Sequence, residues 1–257
     1  MRTILAIFKK EMYHYFASFI AYVLLAVFAL ISGMYFLVLT SRYSEISWYV
    51  SQRPQMGFDM LNIAEELIRP YFSIILTVGL FITPLITMRL FSEERKQGTL
   101  ELLLTAPVKE IEVILGKFMA SLLFYLIMIT ITLPFMGILI KLAHPETGPI
   151  IAGYTGIILV VGAFIAIGEF ISSLTENQII SAILTFGTLL IIGILSWIST
   201  FASSKIAEVL SYLSLFSHFE DFAKGVIDTK HIIFYLSFML LGLVLTYFSI
   251  ESWRWRG

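Results

Sequence analysis

Three groups of residues in this 257-residue chain have types and spacings that could do chemistry. The first is the stretch 88–117, MRLFSEERKQGTLELLLTAPVKEIEVILGK. It holds Arg89, Glu93, Glu94, Arg95, Lys96, Glu101, Lys109, Glu110, Glu112 and Lys117, with long apolar runs on both sides. So many ionisable side chains cannot sit unpaired in lipid. The block is therefore expected in water between two membrane spans, as a docking surface for a soluble partner. Exposed leucines beside charges suit that role: Leu100, Leu102, Leu103 and Leu104 stand among its acids.

The second group is His218, Glu220 and Asp221, followed by His231. These types bind metals or pass protons, but the spacing does not define a metal ligand set. A solvated helix end with capping acids is the plainer expectation. The sharper alternative is an intramembrane enzyme built on His218, Glu220 and His231. The third group lies inside apolar runs. Glu169, in AIGEFISSLTENQ, is an acid within a candidate span and so a functional hypothesis. It lies close enough to a loop to be expected to reach water. Ser73, Thr77 and Thr87 share one face of a second span, and Ser181, Thr185, Thr188 and Ser196 one stripe of a fifth. Such faces suit a pathway or a helix interface, or each hydroxyl bonds back to its own helix. Glycines 153, 156, 162 and 168 suit close helix packing.

Enzyme signatures are missing. The chain has no H-E-x-x-H, no G-x-S-x-G and no G-x-x-x-x-G-K-[ST]; Gly116-Lys117 lacks the upstream glycine and the following hydroxyl. No catalytic set, metal site or resident cofactor is expected. If ATP drives the chain, a separate subunit binds the ATP and magnesium. There is no cysteine, which removes thiolate chemistry, and the net charge of −1 argues against nucleic acid as a partner.

These residues must be positioned by an oily chain. It is 58% hydrophobic and 14% charged, with a mean hydropathy of +0.91, which indicates a polytopic membrane protein in contact with lipid. Apolar runs near 18–40, 71–91, 114–140, 151–172, 179–199 and 231–250 are each long enough to cross a bilayer as a helix, at about 20 residues per span. The expected fold is all-α, a single membrane domain over 1–257 with six transmembrane helices. Residues 1–17 repeat apolar side chains at helical steps and predict an amphipathic helix in the headgroup plane. Lys and Arg in the short segments put both termini in the cytoplasm. The outer segment 41–70 contains a helix-like LNIAEELIR before Pro70. Ile206, Val209, Leu210, Leu213 and Phe216 predict one or two short outer-leaflet helices between the fifth and sixth spans, with Gly225 as a stop. Trp253-Arg254-Trp255-Arg256 suits an interfacial anchor.

Within the charged block, Phe91 to Ala106 predicts a helix along the membrane surface, broken near Gly98-Thr99 and closed by Pro107. FSEERKQGTLELLLTAPVKEIEVILGK resembles the cytoplasmic signature of type-2 ABC exporter permeases, matching at Glu93, Glu94, Gly98, Thr99, Leu100, Glu101, Leu102, Leu103, Pro107, Leu115, Gly116 and Lys117. SSLTENQ at 172–178 is similar to that family's loop between spans four and five. HFEDFAKGVIDTKHIIFYLS and the ESWRWR tail are similar to its gliding-motility and nitrous-oxide-reductase maturation branch. The resemblance implies an N-terminal elbow helix, six spans and re-entrant helices before the sixth. It implies an exporter permease of the bacterial inner membrane that pairs with a second copy or paralogue. Each permease would dock one ABC ATP-binding subunit through a coupling helix carrying Glu93, Glu94, Arg95, Gly98, Thr99, Leu100, Glu101, Leu103 and Leu104. Glu94 and Glu101 would make the polar contacts, and Leu100, Leu103 and Leu104 the apolar ones. A membrane anchor that moves nothing is the remaining rival.

Overall fold

Long apolar runs fold as helices because a helix satisfies its own backbone where no water can. The computed structural model describes residues 2–52, 62–99, 108–201 and 203–254, and every regular element among them is helical. In chain order these are α1 (Arg2–Ala17), α2 (Phe19–Gln52), a π-helical turn (Ala64–Ile68) running into α3 (Arg69–Thr87), and α4 (Ser92–Lys96). Then come α5 (Glu110–Thr130), α6 (Leu133–Ala143), α7 (Thr147–Leu174), α8 (Gln178–Ser199), α9 (Ser204–Leu213), α10 (Leu215–Ala223) and α11 (Thr229–Arg254).

Six stretches are long and apolar enough to cross a membrane: Phe19–Gln52, Ala64–Lys96, Glu110–Ala143, Thr147–Leu174, Gln178–Ser199 and Thr229–Trp253. Six crossings return the chain to the side on which it began. The expected count is met, with longer spans. α2 runs to Gln52 rather than ending near residue 40, so part of the expected 41–70 loop is helix. The third span is two helices. Pro134, lacking an N–H and clashing with the carbonyl four residues back, sits in the first turn of α6 and the ladder breaks at Ile131–Thr132.

α7 is the central element. It packs chiefly on α11, then on α3, α10 and α8, and most of its side chains are buried. Burial on all sides explains why its sequence is apolar all round rather than striped. α1 does not stand alone at the surface: it lies along α5. Gly116 makes this approach possible, since a Cβ there would lie 2.9 Å from Ile7 Cγ2 and 3.2 Å from the Ile4 carbonyl. α9 and α10 follow α8 on the face opposite the termini. α10 ends at Ala223 and Gly225 turns the chain with φ +91°, the left-handed conformation that glycine adopts without penalty.

Candidate functional site

The charged block splits into an inward half and an outward half. α4 is only SEERK, and Gly98 ends it with φ +68°. Its start is capped by another helix. Ser172 Oγ of α7 accepts the backbone N–H groups of Phe91 (3.1 Å) and Ser92 (3.2 Å) and donates to the Met88 carbonyl (3.2 Å). Orphan amides at a helix start need such a partner.

Glu94 and Arg95 leave α4 in different directions. Glu94, expected to face a partner, is turned inward. Its Oε1 lies 2.8 Å from Lys10 Nζ of α1 and 3.0 Å from Lys117 Nζ of α5. Lys117 also meets Glu11 Oε1 of α1 at 2.9 Å, although only 2% of its side chain is exposed. Two ammonium groups and two carboxylates thus close a neutral knot over α1, α4 and α5. The pairing is what permits such burial, because a lone charge there would lose its hydration uncompensated. Arg95 reaches the other way. It bonds Glu176 Oε1 (2.8 Å) and the Ser173 carbonyl (3.3 Å), and its guanidinium lies 3.5 Å over the Trp253 ring of α11. Trp253, part of the expected interfacial anchor, thereby stacks on Arg95. One five-residue helix therefore touches α1, α5, the α7–α8 connection and α11.

Glu93, Lys96, Gln97, Gly98 and Thr99 point outward or lie half-exposed. Thr99 Oγ1 donates to the Glu94 carbonyl at 3.2 Å. Leu100, Glu101, Leu103 and Leu104, with the rest of the expected helix to Ala106, lie outside the described residues.

The opposite face holds the histidines. His218 Nδ1 and His231 Nδ1 are 2.6 Å apart; His218 Nε2 is 2.8 Å from the Tyr212 carbonyl, and His231 Nε2 is 2.8 Å from Asp221 Oδ2. Carbonyl and carboxylate only accept, so both Nε2 atoms carry protons. One further proton joins the two Nδ1 atoms. A metal at about 2.0–2.1 Å from each nitrogen would need them farther apart. Among the described residues no cluster is suited to a metal ion. Burial pushes His218 below the ordinary imidazole value. Burial works against the Asp221 charge, but its His231 hydrogen bond and the nearby cations outweigh that and hold it below the usual carboxylate value. Glu220 does not join: it points away to Arg69 at 3.5 Å. The expected His218–Glu220–His231 set is therefore not assembled. Asp221, three residues after His218, falls on the same helix face and takes the place that Glu220, two residues after, cannot reach.

A family model described as ABC-2 family transporter protein matches residues 5–253, from α1 through the charged block to the end of α11. The chain belongs to the ABC-2 transporter family. No curated protein matches it. With six candidate spans, this ABC-2 chain is a multi-pass membrane component of transport.

The remaining expected residues of this transporter chain divide sharply. Ser73 and Thr77 are exposed and donate to the carbonyls of Arg69 (2.9 Å) and Ser73 (2.8 Å) in their own helix. Thr87 is buried, donating to the Thr83 carbonyl at 3.0 Å and packing against Gly168 of α7, so the three do not form one exposed face. Ser196 back-bonds to Gly193 at 3.1 Å and Thr188 is half-buried. Ser181 and Thr185 are fully buried with hydroxyls that have no partner among the described residues. Glu169 does not reach water: it is 0% exposed and both carboxylate oxygens lack a partner among the described residues. Sequence reasoning missed Lys10, Glu11 and Ser172, and it grouped Asp221 with the histidines without giving it the place at His231. The helical spacing of Asp221 from His218 was the signal that favoured it over Glu220.

Proposed function

We propose that this chain is the permease subunit of an ATP-driven exporter of the bacterial inner membrane, with both termini cytoplasmic. A separate ABC subunit binds ATP and magnesium, and a second permease copy or paralogue completes the pathway. The observation that carries this reading is the wiring of α4, which ties α1, α5, the α7–α8 connection and α11 to one short charged helix. Family membership and the missing phosphate loop support it. Likeness of the 218–237 stretch and the tail to the gliding-motility and nitrous-oxide-reductase maturation branch supports an exporter.

In this reading α1 is the elbow helix, α4 and the residues after it form the coupling helix, and α9 and α10 are the outer re-entrant pair. An ATP-binding subunit would touch Glu93, Gly98, Thr99, Leu100, Glu101, Leu103 and Leu104. Glu94 and Arg95 would pass its displacement inward. A docked subunit shifts the permease equilibrium only through contacts that differ between its two nucleotide states. A lever rooted in four elements supplies such a difference without needing a catalytic residue. Ser181 and Thr185 supply polar atoms for a pathway along α8.

The test is capture of the tagged chain from its native membrane in mild detergent, with mass spectrometry of the proteins that co-purify. A stoichiometric soluble subunit bearing G-x-x-x-x-G-K-[ST] is the expected result, lost in Leu103→Arg/Leu104→Arg while the chain stays inserted. Intact oligomers without an ATPase would overturn the exporter reading. Unchanged capture by the double variant would overturn the docking assignment alone.

A further inference from the structure

A cavity of about 480 Å³ opens where α1 turns into α2, bounded also by the last turn of α3, α4 and the buried end of Lys117. That is an ordinary size for a ligand pocket. One end is apolar, with Ile20, Leu24 and Leu85, and both Ile20 and Leu85 are 41% exposed, sloping out to the lipid-facing surface. The other end is ionic. Lys10 and Lys117 are matched there by Glu11 and Glu94. Two opposite charges remain. Arg89 is half-buried and donates to Ser18 Oγ at 3.5 Å, with no carboxylate among the described residues at ion-pair distance. Among the described residues the Glu93 carboxylate accepts only from Gln97 Nε2, at 3.3 Å. The exposed imidazole of His14 also lines the cavity without replacing either charge.

The position fixes the kind of ligand. Ser18 is the break between an amphipathic helix and a membrane-crossing one, so the cavity lies at headgroup depth on the face carrying the termini. A half-buried arginine there is costly without an anion, and its planar fork suits a phosphate. An anionic headgroup would satisfy Arg89 but leave Glu93 repelled. A zwitterionic one satisfies both. We propose that the cavity holds one phosphoethanolamine-type phospholipid, its phosphate on Arg89 and Ser18, its ammonium on Glu93, and its acyl chains leaving past Ile20 and Leu85. The site goes beyond the exporter reading and does not require it. A lipid held there would brace α1 and α2 against α4 and make the knot sensitive to membrane composition.

The full chain, purified with its native partners in mild detergent, would be titrated with phosphatidylethanolamine and phosphatidylglycerol of equal chain length and followed by native mass spectrometry. Wild type should retain one phosphatidylethanolamine per chain. Arg89→Gln should weaken this about tenfold, the scale of one charge-assisted hydrogen bond. Glu93→Gln removes a half-exposed carboxylate and should leave the fold intact, but move the preference toward phosphatidylglycerol. Glycerophosphoethanolamine and inorganic phosphate, which carry the head without the chains, should not displace the lipid. Equal retention by wild type and Arg89→Gln would overturn the site. A wild-type preference for phosphatidylglycerol would overturn the zwitterionic assignment, and displacement by inorganic phosphate would make the ligand a soluble anion.

Discussion

The two buried polar clusters at opposite faces solve the same problem by different chemistry. At the termini face, four long flexible side chains from α1, α4 and α5 cancel charge against charge around Lys117. At the other face, two short rigid rings and one carboxylate pass hydrogen bonds in series between α10 and α11. The knot depends on charge balance. The relay depends on proton count. It needs one proton between two nitrogens 2.6 Å apart, and a second would set two N–H groups against each other. The first arrangement suits transmission of force, the second suits response to pH.

The contrast between the clusters breaks most sharply at Lys117. Lys117→Met should cost about 3–5 kcal/mol, because it leaves two largely buried carboxylates to share the single half-exposed Lys10. Thermal unfolding in detergent would read this as a large fall in Tm. The triple variant Lys117→Met/Glu11→Leu/Glu94→Leu should recover much of the loss if imbalance rather than lost attraction is the cause. No recovery would mean that the attraction itself holds α1 to α5. At the relay, His231→Ala should cost less, about 1–3 kcal/mol, the scale of leaving buried polar partners unsatisfied. The same unfolding measurement checks that order.

Acidification should separate the clusters without mutation. His218 titrates below its ordinary value in the fold, so the unfolded chain binds the proton first as pH falls. Its contribution to stability is thus complete above about pH 6.5 and shrinks below it. Asp221 acts in the same direction, but only in more acid solution, since its value too lies below the ordinary one. Hydrogen exchange near pH 5.5 should therefore quicken in α9 and α10 before it quickens in α1 and α4. Simultaneous loosening would show that the faces are not independent. The smallest effect should be that of Glu93→Gln, within about 0.5 kcal/mol, since this carboxylate belongs to neither cluster.

The six spans were legible because hydropathy adds up locally. Twenty apolar residues demand a helix in lipid whatever surrounds them. The stop at Gly225 and the break at Gly98 were legible for a similar reason, since each follows from one residue's own conformational freedom. The end of the first span was not: polar residues after 40 can continue a helix beyond the bilayer, and α2 does so. Glu94 and Glu93 are indistinguishable as letters, yet a step of 100° around a short helix sends one into the knot and leaves the other at its rim. Glu169 shows the same limit. Its distance along the chain from a loop said it would reach water, but packing of α7 closed the way.

What the sequence alone determined was the class of molecule: an oily, six-span helical chain with one charged block, His218 and His231 set apart in one outer segment, and no loop for nucleotide phosphates. Tertiary structure decided which charges meet. Lys10 and Glu94 are 84 residues apart, and Glu11 and Lys117 are 106. No periodicity links positions so distant. Their pairing follows from the bare backbone of Gly116, which lets α1 lie against α5 closely enough for the two acids and two lysines to meet around Lys117.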